Sequence, residues 1–337
     1  MTPSTSSLPN RVPRQRVLDI LVRFQGYFGL LIVFVLGVIF SPSRDGVNLF
    51  VDLNNQMNIL RYVSVTGIIA VGMTLVILTG EIDLSVGSLL AFVATLTAFL
   101  LTATSIGTLG SFVLILLAGA LLGLVNGTVT TGLRIPSFVV TLAMISFARG
   151  LARLLFGGVA ITLLATSQGG NAPESAFFAS QRVGVVPVPA LLMFLVAILV
   201  GLLLRFTPFG RHVYAVGGNP LAARLSGIRV DFTKTVVFVL SGALTALAAY
   251  IQAIQLNQGA PNDGMAYELN AIAAVVIGGT SLQGGIGGIA GSIAGAWMLG
   301  MIDNVLNLNN VPSDVQLLIK GGLIVAAVAL QRLQRRT

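Results

Sequence analysis

The sequence has few charged residues and no cysteine. Only 9% of its 337 residues are charged, 55% are hydrophobic, and the mean hydropathy is +0.94. Soluble domains carry roughly 25% charged residues, so a water-soluble fold of this length could not cover its surface. The missing cysteine excludes disulfides and thiolate metal sites. The composition predicts an all-α polytopic membrane protein.

Histidine and nucleotide-binding motifs are also scarce. His212 is the only histidine, which excludes clustered-histidine metal sites, and we expect no metal in this chain. No Gly-x-x-x-x-Gly-Lys-[Ser/Thr] loop occurs, so we do not expect the chain itself to hydrolyse ATP. The glycine run at 284–288 resembles a dinucleotide turn, but no strand is predicted before it.

Apolar runs predict about ten membrane segments. The first and eighth are short, so they could be half-buried or re-entrant. A polar stretch at 166–186 and a basic loop at 207–234 separate the later segments. The predicted segments are 27–40, 59–78, 84–101, 112–130, 137–156, 188–206, 235–254, 267–277, 286–306 and 315–330.

The placement of basic residues predicts the topology. With the N-terminus in the cytoplasm, most of the 19 Lys and Arg residues fall on the cytoplasmic side, as does the C-terminus. The predicted parts are a disordered basic tail at 1–24, one transmembrane domain at 25–331 and a basic tail at 332–337. Because these charges lie in short clusters between apolar segments, they favour membrane topology over nucleic-acid binding.

Glycines at spacing four occur in two of the predicted segments. One interpretation is that small residues let neighbouring helices approach closely. The other is an internal repeat of two inverted five-helix halves, because the two runs lie five segments apart. The residues are Gly119, Gly123 and Gly127 in the fourth segment and Gly287, Gly291 and Gly295 in the ninth.

The basic loop contains a predicted short helix. Asn219 is a good N-cap and Pro220 fits the first helical position. Gly227 can end the helix in a left-handed conformation. A helix of about two turns is not stable alone in water, so it must dock on its own protein or on a partner. Leu221 and Leu225 form one face of it.

Motifs along nearly the whole chain after the first segment carry a family resemblance. They include Gly-Met-Thr-Leu-Val-Ile at 72–77, Ile-Asp-Leu-Ser-Val-Gly-Ser at 82–88, and further motifs at 126–127, 136–142, 149–150, 214–219, 222–228, 267–273 and 277–285. Together they resemble the membrane permease subunits of ribose-type sugar ABC importers. One departure is Glu81, which stands where that family usually has glycine. It is either a harmless loop charge or a change to the pathway or a gate.

The resemblance implies a function and a set of partners. It implies a pathway for a monosaccharide or similar small polar solute across the bacterial inner membrane. The partners would be a second permease subunit, identical or different, cytoplasmic ATPase subunits that bind ATP and Mg, and a periplasmic sugar-binding protein. The chain itself would hold no cofactor. The family's coupling loop corresponds to 217–227, with Gly217, Gly218, Asn219, Pro220, Ala223, Arg224 and Gly227 as candidate contacts to the ATPase.

Five polar residues near membrane segments are candidates for the pathway: Asp83, Ser85, Asn126, Glu268 and Asn270. Other roles are open for three of them. Asp83 could cap the third helix. Asn126 could hydrogen-bond between helices. Glu268 could pair with an arginine of the fifth segment, either Arg149 or Arg153.

Three further residues have simpler expected roles. Asp303 and Asn304 are expected in solvated positions at the outer end of the ninth segment. Trp297, the only tryptophan, is expected to be an interfacial anchor.

Two other functions are alternatives to an ATP-driven permease. An ion-gradient-driven transporter would lead one to expect acidic residues inside several spans, whereas here the acids cluster at segment ends. A membrane-embedded enzyme has thinner support, since His212 lies in a loop and no Gly-x-Ser-x-Gly elbow occurs.

Overall fold

The structure, a computed structural model, describes residues 25–163 and 181–334. Within these ranges the chain forms twelve helices and three two-stranded pairs. The helices are α1 Gln25–Phe40, α2 Leu53–Leu78, α3 Val86–Ala103, α4 Gly107–Gly132, α5 Ser137–Phe156, α6 Val188–Phe206, α7 Pro208–Gly218, α8 Pro220–Leu225, α9 Val230–Leu256, α10 Tyr267–Ile277, α11 Ile289–Leu308 and α12 Ser313–Gln334. The strands are β1 Ser43–Arg44, β2 Val47–Asn48, β3 Ile161–Thr162, β4 Arg182–Val183, β5 Val186–Pro187 and β6 Gln258–Gly259. They pair antiparallel as β1 with β2, β3 with β6 and β4 with β5.

Seven of the described helices are long and apolar enough to cross a membrane: α2, α3, α4, α5, α6, α9 and α11. The apolar part of α1 and the whole of α10 are shorter, in line with the two short segments expected from the sequence. The chain is therefore a polytopic helical membrane protein.

Several predicted boundaries were wrong because polar capping residues extend the helices. α2 begins at Leu53 rather than at 59, since the Asp52 side chain accepts a hydrogen bond of 3.1 Å from the Asn55 amide. The basic loop at 207–234 is mostly helical, because Thr207 caps α7 at the Gly210 amide and Pro208 follows it.

The ninth predicted segment began too early. α11 starts at Ile289, so Gly287 lies in the loop before it and does not pack within a helix. Gly287 has a φ of +139°, and an added Cβ would overlap the Thr280 side chain, which explains a glycine here.

The predicted tails lie largely outside the described residues. This applies to the N-terminal tail at 1–24, to 335–337 and to most of the polar stretch at 166–186. The described part of the chain ends with α12, which runs to Gln334.

The centre of the fold is formed by α2, α3 and α9, which are mostly buried. Their fully buried side chains include Ile68, Leu89 and Phe238. By contrast, α4, α5 and α6 expose rows of apolar side chains, among them Leu117 and Leu154. Because these three helices are apolar on their outer faces as well, they suit contact with lipid rather than water.

The glycines of α4 bring its backbone against α9. A Cβ added at Gly119 would overlap the Gly242 carbonyl, and one at Gly123 would overlap the Phe238 carbonyl. At Gly127 it would lie 2.8 Å from the Thr235 Cα. The run therefore permits backbone-to-backbone packing of the two helices.

The second glycine run faces a different kind of neighbour. Added Cβ atoms at Gly291 and Gly295 would overlap the carbonyls of Gly278 and Ala274, at and just after the end of α10. In an inverted repeat of this kind α4 is equivalent to α11, and α9 is equivalent to α2. Because the glycines of α4 face α9, the glycines of α11 should face α2. They face α10 instead, so the glycines give no support to the repeat.

Replacing Gly123 with alanine is expected to destabilise the protein in detergent. The new methyl group would meet the α9 backbone, and overpacking of this kind costs about 1–3 kcal/mol. Thermal unfolding measures the loss. Gly201→Ala on α6 is the matched control, because a Cβ there meets nothing within 4 Å. Equal melting temperatures for the two variants would contradict the close packing.

Candidate functional site

The coupling segment, residues 217–227, contains the short helix α8. The Asn219 side chain accepts a hydrogen bond of 3.0 Å from the Ala222 amide, and Pro220 occupies the first position. Gly227 follows with a φ of +82°. The local capping chemistry read from the sequence thus gives this helix its start and its end.

The two sides of α8 differ in burial. Ala223 is buried against Val216 and Val230, which seats the helix on its own protein. Leu221 and Leu225 point away and are 69% and 82% exposed. The coupling segment therefore presents two apolar side chains on its exposed side.

Arg224 of α8 forms an ion pair with Asp231 in the first turn of α9, at 2.9 Å. Both side chains are more than half exposed, so the pair contributes little to stability. It ties the orientation of α8 to the start of α9.

The helix before it, α7, meets the end of α2 at a backbone junction. A Cβ added at Gly217 would overlap the Leu78 carbonyl oxygen, which also accepts a hydrogen bond of 3.0 Å from the Gly285 amide. The Tyr214 hydroxyl donates to the Gly287 carbonyl at 3.0 Å. We call this contact of α7, the end of α2 and the 278–288 loop the coupling junction. It connects the coupling segment to two parts of the membrane domain.

Glu81, the departure from the family pattern, forms an ion pair with Lys234 of α9. Their side chains are only 13% and 18% exposed. The pair joins the connection between α2 and α3 to the second turn of α9. A cavity of about 260 Å³ beside it is lined also by Arg134 and Asp231, so charged groups from two connections and from the start of α9 meet here.

Replacing Glu81 with glutamine is expected to lower stability, because the Lys234 ammonium would stay mostly buried without a counter-charge. The expected loss is about 1–3 kcal/mol, between the values for exposed and buried pairs. Thermal unfolding in detergent measures it. The exchanged pair Glu81→Lys with Lys234→Glu should recover most of the loss. Asp231→Asn, which breaks the exposed Arg224–Asp231 pair, serves as the control. An equal loss of stability in that variant would contradict a larger contribution from the mostly buried Glu81–Lys234 pair.

Three candidate pathway residues come together in one buried cluster. Asp83 Oδ1 accepts hydrogen bonds from the Ser85 amide at 2.9 Å and from the Ser85 hydroxyl at 2.6 Å. The Asn126 amide group donates to Ser85 Oγ at 2.9 Å. All three residues are at most 1% exposed, so the cluster is closed off in this conformation.

Asp83 does not cap α3, since its donors both belong to Ser85, the residue before the helix. Asn126 does make the hydrogen bond to a neighbouring element that was one of its two expected roles. Asp83 Oδ2 and Asn126 Oδ1 are buried without a partner among the described residues. Burial raises the pKa of the Asp83 carboxyl, and the two hydrogen bonds from Ser85 oppose this.

Glu268 has neither of its expected arginine partners. Arg149 donates to the Pro261 carbonyl at 3.2 Å and Arg153 donates to Asn262 at 3.1 Å. The two arginines therefore hold the connection between β6 and α10. In that connection burial raises the pKa of Asp263, opposed by a hydrogen bond from the Ala260 amide.

The last candidate, Asn270, lies apart from the buried cluster. It lines a separate cavity between α2, α10, α11 and α12. The five candidates thus divide between a sealed cluster, a glutamate that lies against Gly87 of α3, and an open cavity. Within the described ranges no three His, Asp or Glu side chains are grouped to hold a metal.

Two polar pairs at this cavity contradict the solvated positions expected for Asp303 and Asn304. Asp303 pairs with Lys320 of α12 at 2.9 Å, and Asn304 exchanges amide hydrogen bonds of 2.9 Å with Asn55 of α2. The sequence held one signal for the first pair, since a lysine inside a span needs a counter-ion. Trp297 is partly buried against the core, and its Nε1 is buried without a partner among the described residues.

Comparison with known proteins identifies the chain. The profile of the family described as "Branched-chain amino acid transport system / permease component" matches residues 55–328. The chain belongs to this permease family. The ribose import permease RbsC of Bacillus subtilis is 39% identical over 328 residues, covering 97% of this chain and 98% of that protein.

Other relatives agree with this assignment. RbsC of Escherichia coli K12 is 39% identical over 308 residues, covering 91% of this chain and 93% of that protein. The xylose transport permease XylH of Haemophilus influenzae is 34% identical over 368 residues, covering 91% and 96%. No solved structure matches significantly. The chain is therefore the permease subunit of an ABC importer, a transport component and not an enzyme.

Proposed function

We propose that the permease imports a monosaccharide of pentose size. The observation that carries this proposal is its similarity, over nearly the full length, to permeases named for ribose and for xylose. Both are neutral pentoses, which are bound through hydrogen bonds rather than charge. The polar side chains at the cavity between α2, α10, α11 and α12 offer hydrogen-bonding groups of this kind.

The proposed machine contains further chains. A second permease subunit, identical or different, completes the pathway, and a periplasmic binding protein delivers the sugar. Cytoplasmic ATPase subunits bind ATP and Mg and dock on the exposed Leu221 and Leu225 of the coupling segment. The permease lies in the bacterial inner membrane with both termini in the cytoplasm, which the distribution of basic residues supports.

Reconstitution tests the proposed function. The permease, its ATPase subunits and its binding protein are placed in liposomes, with radiolabelled D-ribose, D-xylose or L-leucine outside the membrane. Uptake of a pentose that requires ATP is the expected result. ATP-dependent uptake of leucine alone would overturn the substrate class, and pentose uptake driven by an ion gradient without ATP would overturn the energy source.

A further inference from the structure

A cavity of about 480 Å³ lies between α2, α10, α11 and α12 of a single subunit. Small-molecule sites in proteins typically measure 300–1,000 Å³, so it has room for one small solute. We call it the polar cavity. Its hydrogen-bonding side chains include Tyr62, Tyr267, Asn270, Asp303, Asn307 and Lys320.

Its charges are paired. Lys320 Nζ lies 2.9 Å from Asp303 Oδ2, and the two side chains are 18% and 32% exposed. Asp303 lies on α11, one of the helices long and apolar enough to cross a membrane, where an ionisable residue is costly and usually functional. Because the carboxylate and the ammonium neutralise each other, the cavity has no net charge to attract an ion.

Its wall is held by hydrogen bonds between helices. The Asn304 and Asn55 amides bond each other across α11 and α2. The Gln316 amide of α12 donates to Asn307 Oδ1 at 2.8 Å. Residues locked in this way keep a binding site preformed.

Some of its polar groups remain available. Asp303 Oδ1 is buried and has no hydrogen-bond partner among the described residues. A buried polar atom left unpaired is destabilising, and Asp303 itself lines the cavity, where a ligand hydroxyl can approach its partly exposed carboxylate. Asn270 adds an amide with both a donor and an acceptor on the α10 side.

We propose that the polar cavity binds one molecule of a small, neutral, polyhydroxylated solute within a single subunit. Asn270 and the Asp303 carboxylate are the hydroxyl-binding groups, and Lys320 holds the carboxylate in place. An anion is disfavoured because the Lys320–Asp303 pair leaves no net positive charge to attract it, and an apolar ligand would leave the amides unpaired. This inference rests on the proposed function, since the imported sugar belongs to the same chemical class.

Binding of D-ribose to the purified full-length permease in nanodiscs tests the proposal. Trp297 is the only tryptophan of the chain and lies on α11 beside Ala296, which lines the cavity. D-ribose is expected to change its fluorescence saturably. Asn270→Leu should raise the dissociation constant for D-ribose about tenfold, which corresponds to the loss of roughly one hydrogen bond. Asn58→Leu is the matched control, because Asn58 is exposed on α2 and does not line the cavity.

The outcomes separate this inference from the proposed function. Absence of saturable binding by the wild type, or equal dissociation constants for Asn270→Leu and the wild type, would overturn the cavity as a site. Thermal melts of each variant exclude misfolding, and Asn270→Ser, which keeps a hydroxyl, should retain part of the affinity. A complete importer that takes up ribose while the cavity binds none defeats the inference alone. An importer that takes up no sugar defeats the proposed function, and the binding measurement still decides the cavity.

Discussion

Replacing Gly217 with alanine is expected to reduce ATP-driven uptake by the permease strongly. The new methyl group would overlap the Leu78 carbonyl oxygen at the coupling junction. Neither side can yield, because both are backbone, so α7 must separate from the end of α2. Misfit of this kind costs about 1–3 kcal/mol, so the state in which α7 and α2 are joined should be roughly 5- to 150-fold less populated, and uptake should fall with it. Radiolabelled sugar uptake and the amount of inserted protein are the two measurements.

The neighbouring glycine provides the control. A Cβ added at Gly218 meets nothing within 4 Å, and alanine is favoured over glycine inside a helix by about 1 kcal/mol. Gly218→Ala should therefore insert like the wild type and leave the packing of α7 on α2 unchanged. Normal uptake by Gly217→Ala would show that the coupling junction is not needed in the transport cycle.

Replacing Leu225 with aspartate is expected to uncouple ATP hydrolysis from transport. Leu225 is 82% exposed and makes no contribution to the core, so the permease itself should fold normally. The carboxylate would instead be buried in the contact with the ATPase, where an unpaired charge costs several kcal/mol. ATPase activity of the assembled complex should no longer rise when the loaded binding protein is added, and sugar uptake should be lost.

Two further variants distinguish docking from folding. Leu225→Met keeps an apolar side chain of similar volume and should transport normally. Arg224→Glu should repel Asp231 and turn α8, and the exchange Arg224→Glu with Asp231→Arg should restore transport. A Leu225→Asp complex that still couples hydrolysis to uptake would mean that α8 is not the docking element.

The short helix of the coupling segment was predictable because its signals are local. Asn219, Pro220 and Gly227 act on backbone groups within a few residues, so cap, first turn and end follow from adjacent positions. The same reasoning could have found α7, since Thr207 and Pro208 form the same kind of start.

Two of the polar pairs were not predictable because their partners lie far apart in the chain. Glu81 and Lys234 are 153 positions apart, and Asn55 and Asn304 are 249 apart. Which residues meet depends on how tilted helices pack, and spacing in the sequence carries no record of that. The prediction for Glu268 failed for this reason. Both arginines expected to pair with it contact the connection between β6 and α10 instead.

The sequence by itself determined that the chain lies in a membrane and that a capped helix stands in its basic loop. Both follow from short-range causes, namely the transfer of apolar residues into lipid and the capping of free amides. Only the tertiary structure decided that Asp83, Ser85 and Asn126 form a sealed cluster while Asn270 opens into a cavity with Lys320 and Asp303. The physical reason is that transfer into lipid determines which segments form helices but not which helices pack together. The packing is set by close contacts at positions such as Gly119 and Gly217.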